Sequence, residues 1–180
     1  MEIFSHGLWT NLVFKNLPEK QRYLTVLFSM LPDLITFCFI VPKHYYQRFK
    51  ENKDVKFTTK KLYNKVKNHN GVPEEKISKS VYLLYNITHS IFVWAIIFGL
   101  FKLFGWDWWA TVLYGWATHI VFDIFTHTAD FLNPDKKSVF STYIFWPFSR
   151  FHFPGFKWSN KWFLLTNYVI LAILYYIYYF

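Results

Sequence analysis

His119, Asp123 and His127 stand four residues apart in the apolar stretch GWATHIVFDIFTHTADF. At ~3.6 residues per turn, that spacing stacks all three on one helical face. Ionisable groups in so apolar a setting are costly unless they are partnered. A carboxylate between two imidazoles suits a transition-metal ion, because both donor types ligate zinc or manganese. Such a site needs further ligands, and three other stretches offer them: Asp33 in SMLPDLITF, His89 in NITHSIF and His6 in SHGLW. Each has a plainer reading. Asp33 can cap a helix broken at Pro32, His89 can bond a neighbouring carbonyl, and His6 can be a polar residue at an interface.

The elements that must position these residues are apolar. Hydrophobic residues make up 53% of the 180-residue chain and aromatic residues 24%, far above soluble usage. That excess favours a membrane protein of one domain, residues 1–180, over a soluble bundle with greasy helices. Cys38 is the one cysteine, which excludes an internal disulfide and a cysteine-based zinc cluster. The first residues lack the basic start and apolar core of a cleavable signal peptide. Four stretches approach the ~20 residues that cross a bilayer: 23–42, 81–104, 106–131 and 162–180. The expected fold is therefore an all-α integral membrane bundle of about four transmembrane helices, with a short N-terminal helix capped by Ser5 and running from His6 to Leu17.

Charge sets the expected orientation. Residues 43–80 hold eleven lysines and arginines against four acids, so most of the net +9 lies in one basic loop. The positive-inside rule puts that loop in the cytoplasm, at the inner membrane of a multi-pass protein. A tight turn at Gly105 then lies outside, and the loop 132–161, also basic, returns to the cytoplasm. The lysines of the first loop suit anionic lipid headgroups better than nucleic acid, and no nucleic-acid partner is expected.

With those boundaries, Asp33, His89, His119 and Asp123 all fall ~12 to 18 Å below the cytoplasmic face. Unrelated polar residues have no reason to share a depth, whereas a common site requires it. His127 falls ~6 Å in, where it would be a gate or a support for the ligands.

The ordered series SHG, LPD, THS, HIVFDIFTH and WPFS, spanning positions 5 to 149, resembles the membrane-bound metal-dependent hydrolases of bacteria and archaea. These are also called inner-membrane-associated hydrolases, and they look distantly similar to zinc-dependent phospholipase C. The resemblance implies metal ligation by His6, Asp33, His89, His119 and Asp123. It also implies a structural or entrance role for Trp146, Pro147, Phe148 and Ser149. Many relatives carry His-Arg-Gly where this chain has Leu84, Tyr85 and Asn86, so an anion-binding arginine is missing there; Arg150 or Lys136 would have to replace it.

The expected function is hydrolysis, by metal-activated water, of a phosphoester in a lipid-like or phosphorylated substrate. The cofactor is one or two divalent ions, zinc foremost. Asp123 would bridge or ligate, Asp33 would take the proton of the water, and Ser149 and Arg150 would lie near the substrate. The alternative is a non-catalytic membrane protein whose cluster holds a structural metal or packs helices. A metal transporter is a third reading, disfavoured by the lack of repeated halves. Serine catalysis is disfavoured by the absence of a GxSxG element, and phosphate-binding glycine loops are absent, the six glycines being scattered singly.

Overall fold

Glu2 opens the first helix. The computed structural model describes residues 2–36, 79–126, 142–151, 153, 158 and 160–179. Helix α1 spans Ile3–Val13. The Glu2 carboxylate accepts the backbone N–H groups of Phe4 (3.0 Å) and Ser5 (2.9 Å), which satisfies two free donors of the first turn. Ser5, expected as the cap, lies instead inside that turn and donates its hydroxyl to Glu2 Oε1 at 2.6 Å. The helix also ends four residues before Leu17, and turn bonds carry the chain to Pro18.

Burial raises the pKa of the Glu2 carboxyl. Bonds from Ser5, Tyr168 and the two backbone N–H groups outweigh burial and hold it below the usual 4.5. A depressed folded pKa adds stability above the unfolded value, and that stability is lost as pH falls through the folded one. Thermal unfolding of the wild type and of Glu2→Gln should therefore differ most near neutral pH and converge below about pH 4. A gap that does not narrow on acidification would contradict the assignment.

Helix α2 spans Glu19–Asp33. Pro32 is expected to bend or break the helix, and the α-helical pattern ends one residue beyond it, at Asp33, giving way to a π-helical turn over residues 34–36. A widened turn absorbs the bond that proline cannot make. Helix α3 (Lys79–Thr88) and helix α4 (Ile91–Leu103) form a pair bent by 54° at His89 and Ser90. No glycine or proline marks this break. Thr88 Oγ1 donates back to the carbonyls of Leu84 and Tyr85, each at 3.1 Å, and such back-bonding bends helices. Ser90 then restarts the helix by accepting the Val93 N–H.

Gly105, with φ of 71°, adopts the left-handed conformation that turns α4 into helix α5 (Asp107–Thr126). Lys102 and Asp107 pair across this turn. Helix α6 spans Lys161–Tyr179. The described residues are all-helical apart from turns and irregular segments. Residues 43–78 of the basic loop lie outside them, as do Cys38 and Lys136.

Helices α2 and α5 cross in close backbone contact at Gly115. A Cβ there would stand 1.8 Å from the Thr25 carbonyl oxygen. Helix α1 packs on α2 and α5, and α6 packs on α1. The segment after residue 141 is fastened over the α3–α4 break. Ile91 N–H donates to Ile144 O (3.0 Å), Ser90 Oγ to Trp146 O (2.6 Å), and Tyr85 and Thr142 share a hydroxyl bond.

The expectation of four spans is met in part. Helix α6 is long and apolar enough to cross a bilayer, and the bent α3–α4 pair meets the same test as one span. Helix α2 opens on Glu19, Lys20, Gln21 and Arg22. Helix α5 carries Asp107 and the ionisable residues of the site. Helix α2 is 15 residues long, short of a span, and residues 37–42 and 127–131 of the expected spans 23–42 and 106–131 lie outside the described residues.

Candidate metal centre

Four helical elements bring the ionisable residues together. His6 comes from the first turns of α1, Asp33 from the end of α2, His89 from the α3–α4 break, and His119 and Asp123 from one face of α5. All five are at most 2% exposed.

Asp123 is the hub. Its Oδ1 lies 3.0 Å from His6 Nε2, and its Oδ2 lies 3.2 Å from His89 Nε2 and 3.3 Å from His119 Nε2. Asp33 faces it across the cluster, with oxygens 3.8 Å from the Nε2 atoms of His6 and His89 and 3.9 Å from that of His119. His6, Asp33, His119 and Asp123 each offer one donor atom, all within 4.8 Å of one another, so this group could hold a metal ion. Zinc–nitrogen bonds of ~2.0–2.1 Å imply ligand–ligand edges of ~3.4 Å in a tetrahedron. The observed 3.0 to 3.9 Å separations bracket that edge.

Two imidazoles are oriented by the backbone. His119 Nδ1 donates to the Ser29 carbonyl at 2.7 Å, and His89 Nδ1 to the Tyr85 carbonyl at 2.8 Å. A carbonyl can only accept, so each Nδ1 carries a proton and each ring turns its Nε2 edge inward. Metal-binding histidines are held in this way. The plainer reading of His89, a bond to a neighbouring carbonyl, is thus correct and compatible with ligation through the other nitrogen. The Nε2 atoms of His89 and His119 stand only 3.0 Å apart. A shared proton or a cation can hold them at that distance, and a cation would also offset the two buried carboxylates. Each uncompensated buried charge costs several kcal/mol, on the order of a domain's entire stability when summed.

His6 is held differently. Neither ring nitrogen has a hydrogen bond of acceptable geometry among the described residues. The ring instead lies against His119, with centroids 4.0 Å apart. Its place depends on how α1 docks.

Several contributors escaped the sequence reading. Ser29 and Tyr85 act through backbone carbonyls, which every residue possesses, so no side-chain pattern reveals them. Tyr85, at a position where the resembling proteins carry His-Arg-Gly, stacks on His89 at 3.9 Å, and Asn86 bonds the Tyr82 carbonyl. Both side chains therefore have structural roles here. Asn167 is the one amide side chain in the apolar α6, which is the signal that marks it. His127 lies outside the described residues. Ser149 is half-buried, its hydroxyl accepting the Phe151 N–H, and Arg150 is exposed. Neither is among the groups that converge on Asp123. Comparison with protein-family models, with curated proteins and with solved structures returned no match.

Proposed function

We propose that the chain is a membrane-embedded, metal-dependent hydrolase acting on a phosphoester of a lipid-like substrate. The observation that carries the reading is the convergence of three imidazole Nε2 atoms and two carboxylates on one buried point, with two of the rings oriented by carbonyls. In this reading His6, Asp33, His119 and Asp123 hold one divalent ion, zinc by its donor set, and His89 completes or borders the sphere. When bound, the ion supplies Lewis acidity and a water that ionises near neutral pH. Asp33 Oδ1 has no hydrogen bond of acceptable geometry among the described residues, so it would be the group to hold a proton at the site. The carbonyl bonds hold the His89 and His119 rings in place.

Lipid as the surrounding solvent is supported by an inverted distribution of polarity. Among the described residues, sixteen buried polar or charged side chains outnumber eight buried apolar ones. The exposed surface carries Leu103, Trp162, Ile173, Tyr176 and many similar residues. Water-soluble domains show the reverse. Helix α6 is both apolar and mostly unburied, which suits a lipid-facing span better than the core helix of a soluble fold. A four-span bundle with the basic loops cytoplasmic accommodates these features, and the headgroup of an amphipathic lipid is the substrate that could reach so deep a site.

The enclosure of all five residues favours a second reading, a structural metal without turnover. Elemental analysis of purified protein, with and without His119→Ala, tests the site. About one equivalent of a divalent metal, lost in the variant, is expected. Wild-type protein free of metal would end both readings. Hydrolysis on a panel of lipid phosphoesters separates them, since a structural metal gives stoichiometric binding and no products.

A further inference from the structure

The α1–α6 contact is polar where both helices are otherwise apolar. Asn167 is 6% exposed and is one of two buried residues of α6. Its Nδ2 donates to Ser5 Oγ at 2.8 Å, and its Oδ1 accepts from Trp9 Nε1 at 2.8 Å. One amide thus grips α1 on both sides of His6. Tyr168 adds a bond to Glu2. Two turns further on, Tyr175 donates to the Leu8 carbonyl (3.2 Å) and accepts from Asn11 Nδ2 (2.9 Å). Apolar packing lets a helix rotate about its axis at small cost, whereas a two-ended amide fixes its azimuth. The azimuth of α1 matters because His6 is the one imidazole of the site without a backbone acceptor on Nδ1.

We infer that Asn167 is a positioning residue: by bonding Ser5 and Trp9, it fixes the rotation of α1 that turns His6 into the metal centre. The inference rests on the metal reading above and goes beyond it, giving the lipid-facing helix α6 a task at a site it does not touch. His119 and His89 are tied to the backbone of their immediate surroundings, while His6 is tied through helix docking. Loosening the α1–α6 contact should therefore remove one ligand and leave the others in place.

The test is a double-mutant cycle on the purified full chain. Zinc affinity is measured by competition titration, and cobalt serves as the spectroscopic probe. Asn167→Leu keeps the helix and approximate volume while deleting both bonds. It is expected to weaken zinc binding by ~10–100-fold, the range typical of groups that orient a ligand. The visible spectrum of the cobalt form should shift toward that of His6→Ala. In the His6→Ala background, Asn167→Leu should cause no further loss, because the ligand it positions is gone. Ser5→Ala deletes one of the two bonds and carries the same comparison should the leucine variant fail to fold. Unchanged affinity in Asn167→Leu, or an equal loss in both backgrounds, overturns the positioning role and leaves the metal centre standing. A wild-type chain that binds neither zinc nor cobalt overturns the centre and this role together.

Discussion

Asp123→Ala is expected to abolish metal binding, with affinity falling by more than ~100-fold. Asp123 is the residue that all three imidazoles face, at 3.0, 3.2 and 3.3 Å. Its removal takes away a donor and half of the negative charge at the site. The metal-free variant should also unfold earlier than the metal-free wild type, because Asp123 pairs with His6 and His89 and removing one partner of a buried pair leaves the other uncompensated. What isolates the metal is the response to zinc. A ligand at 100 times its Kd stabilises the folded state by ~2.7 kcal/mol, and the variant should show none of that gain. Asp123→Asn sharpens the comparison. It retains the shape and an acceptor for Thr126 Oγ1, which donates to Asp123 Oδ1 at 3.3 Å, yet lacks the charge. It should resemble alanine in metal binding. Thermal unfolding with and without zinc, alongside elemental analysis, reads both quantities. Stoichiometric metal in Asp123→Ala would remove the centre as described.

Gly115→Ala is expected to be the most damaging single methyl in the described part of the chain, costing ~3 kcal/mol or more. The added Cβ would lie 1.8 Å from the Thr25 oxygen, 2.8 Å from its carbonyl carbon and 3.2 Å from Ser29 N. All three are backbone atoms, so no rotamer change relieves the clash, and α2 and α5 must part by roughly 1.5 Å to reach ordinary contact. The Ser29–His119 bond and the Asp33–His119 separation span the same interface. The variant should therefore lose zinc affinity as well as stability, although it touches no ligand. Gly99, in α4, supplies the control, since a Cβ there meets nothing within 4 Å. Gly99→Ala should be neutral or stabilise by ~0.5–1 kcal/mol through helix propensity. Equal behaviour of the two variants in thermal unfolding would mean that the α2–α5 crossing is looser than described.

What could be known from the residue order follows from local geometry. The helical period puts His119 and Asp123 on one face whatever the rest of the chain does. Gly105 marks the α4–α5 turn because it tolerates a left-handed backbone. The richness in aromatic residues and the apolar run of α6 follow from composition. Local rules also misled: Glu2 caps the helix assigned to Ser5, and that helix ends at Val13 rather than Leu17. Shared depth and the ordered motifs led to the expectation that four separate stretches share a site, and the tertiary structure decided how they meet. That meeting depends on a glycine crossing between α2 and α5, a bend at Thr88–Ser90 without a glycine or proline, and one amide in α6 that sets the rotation of α1. It also decided which nitrogen of His89 and of His119 faces inward. That choice belongs to backbone carbonyls, which are present at every position and become specific only when packing sets one of them ~3 Å from a ring.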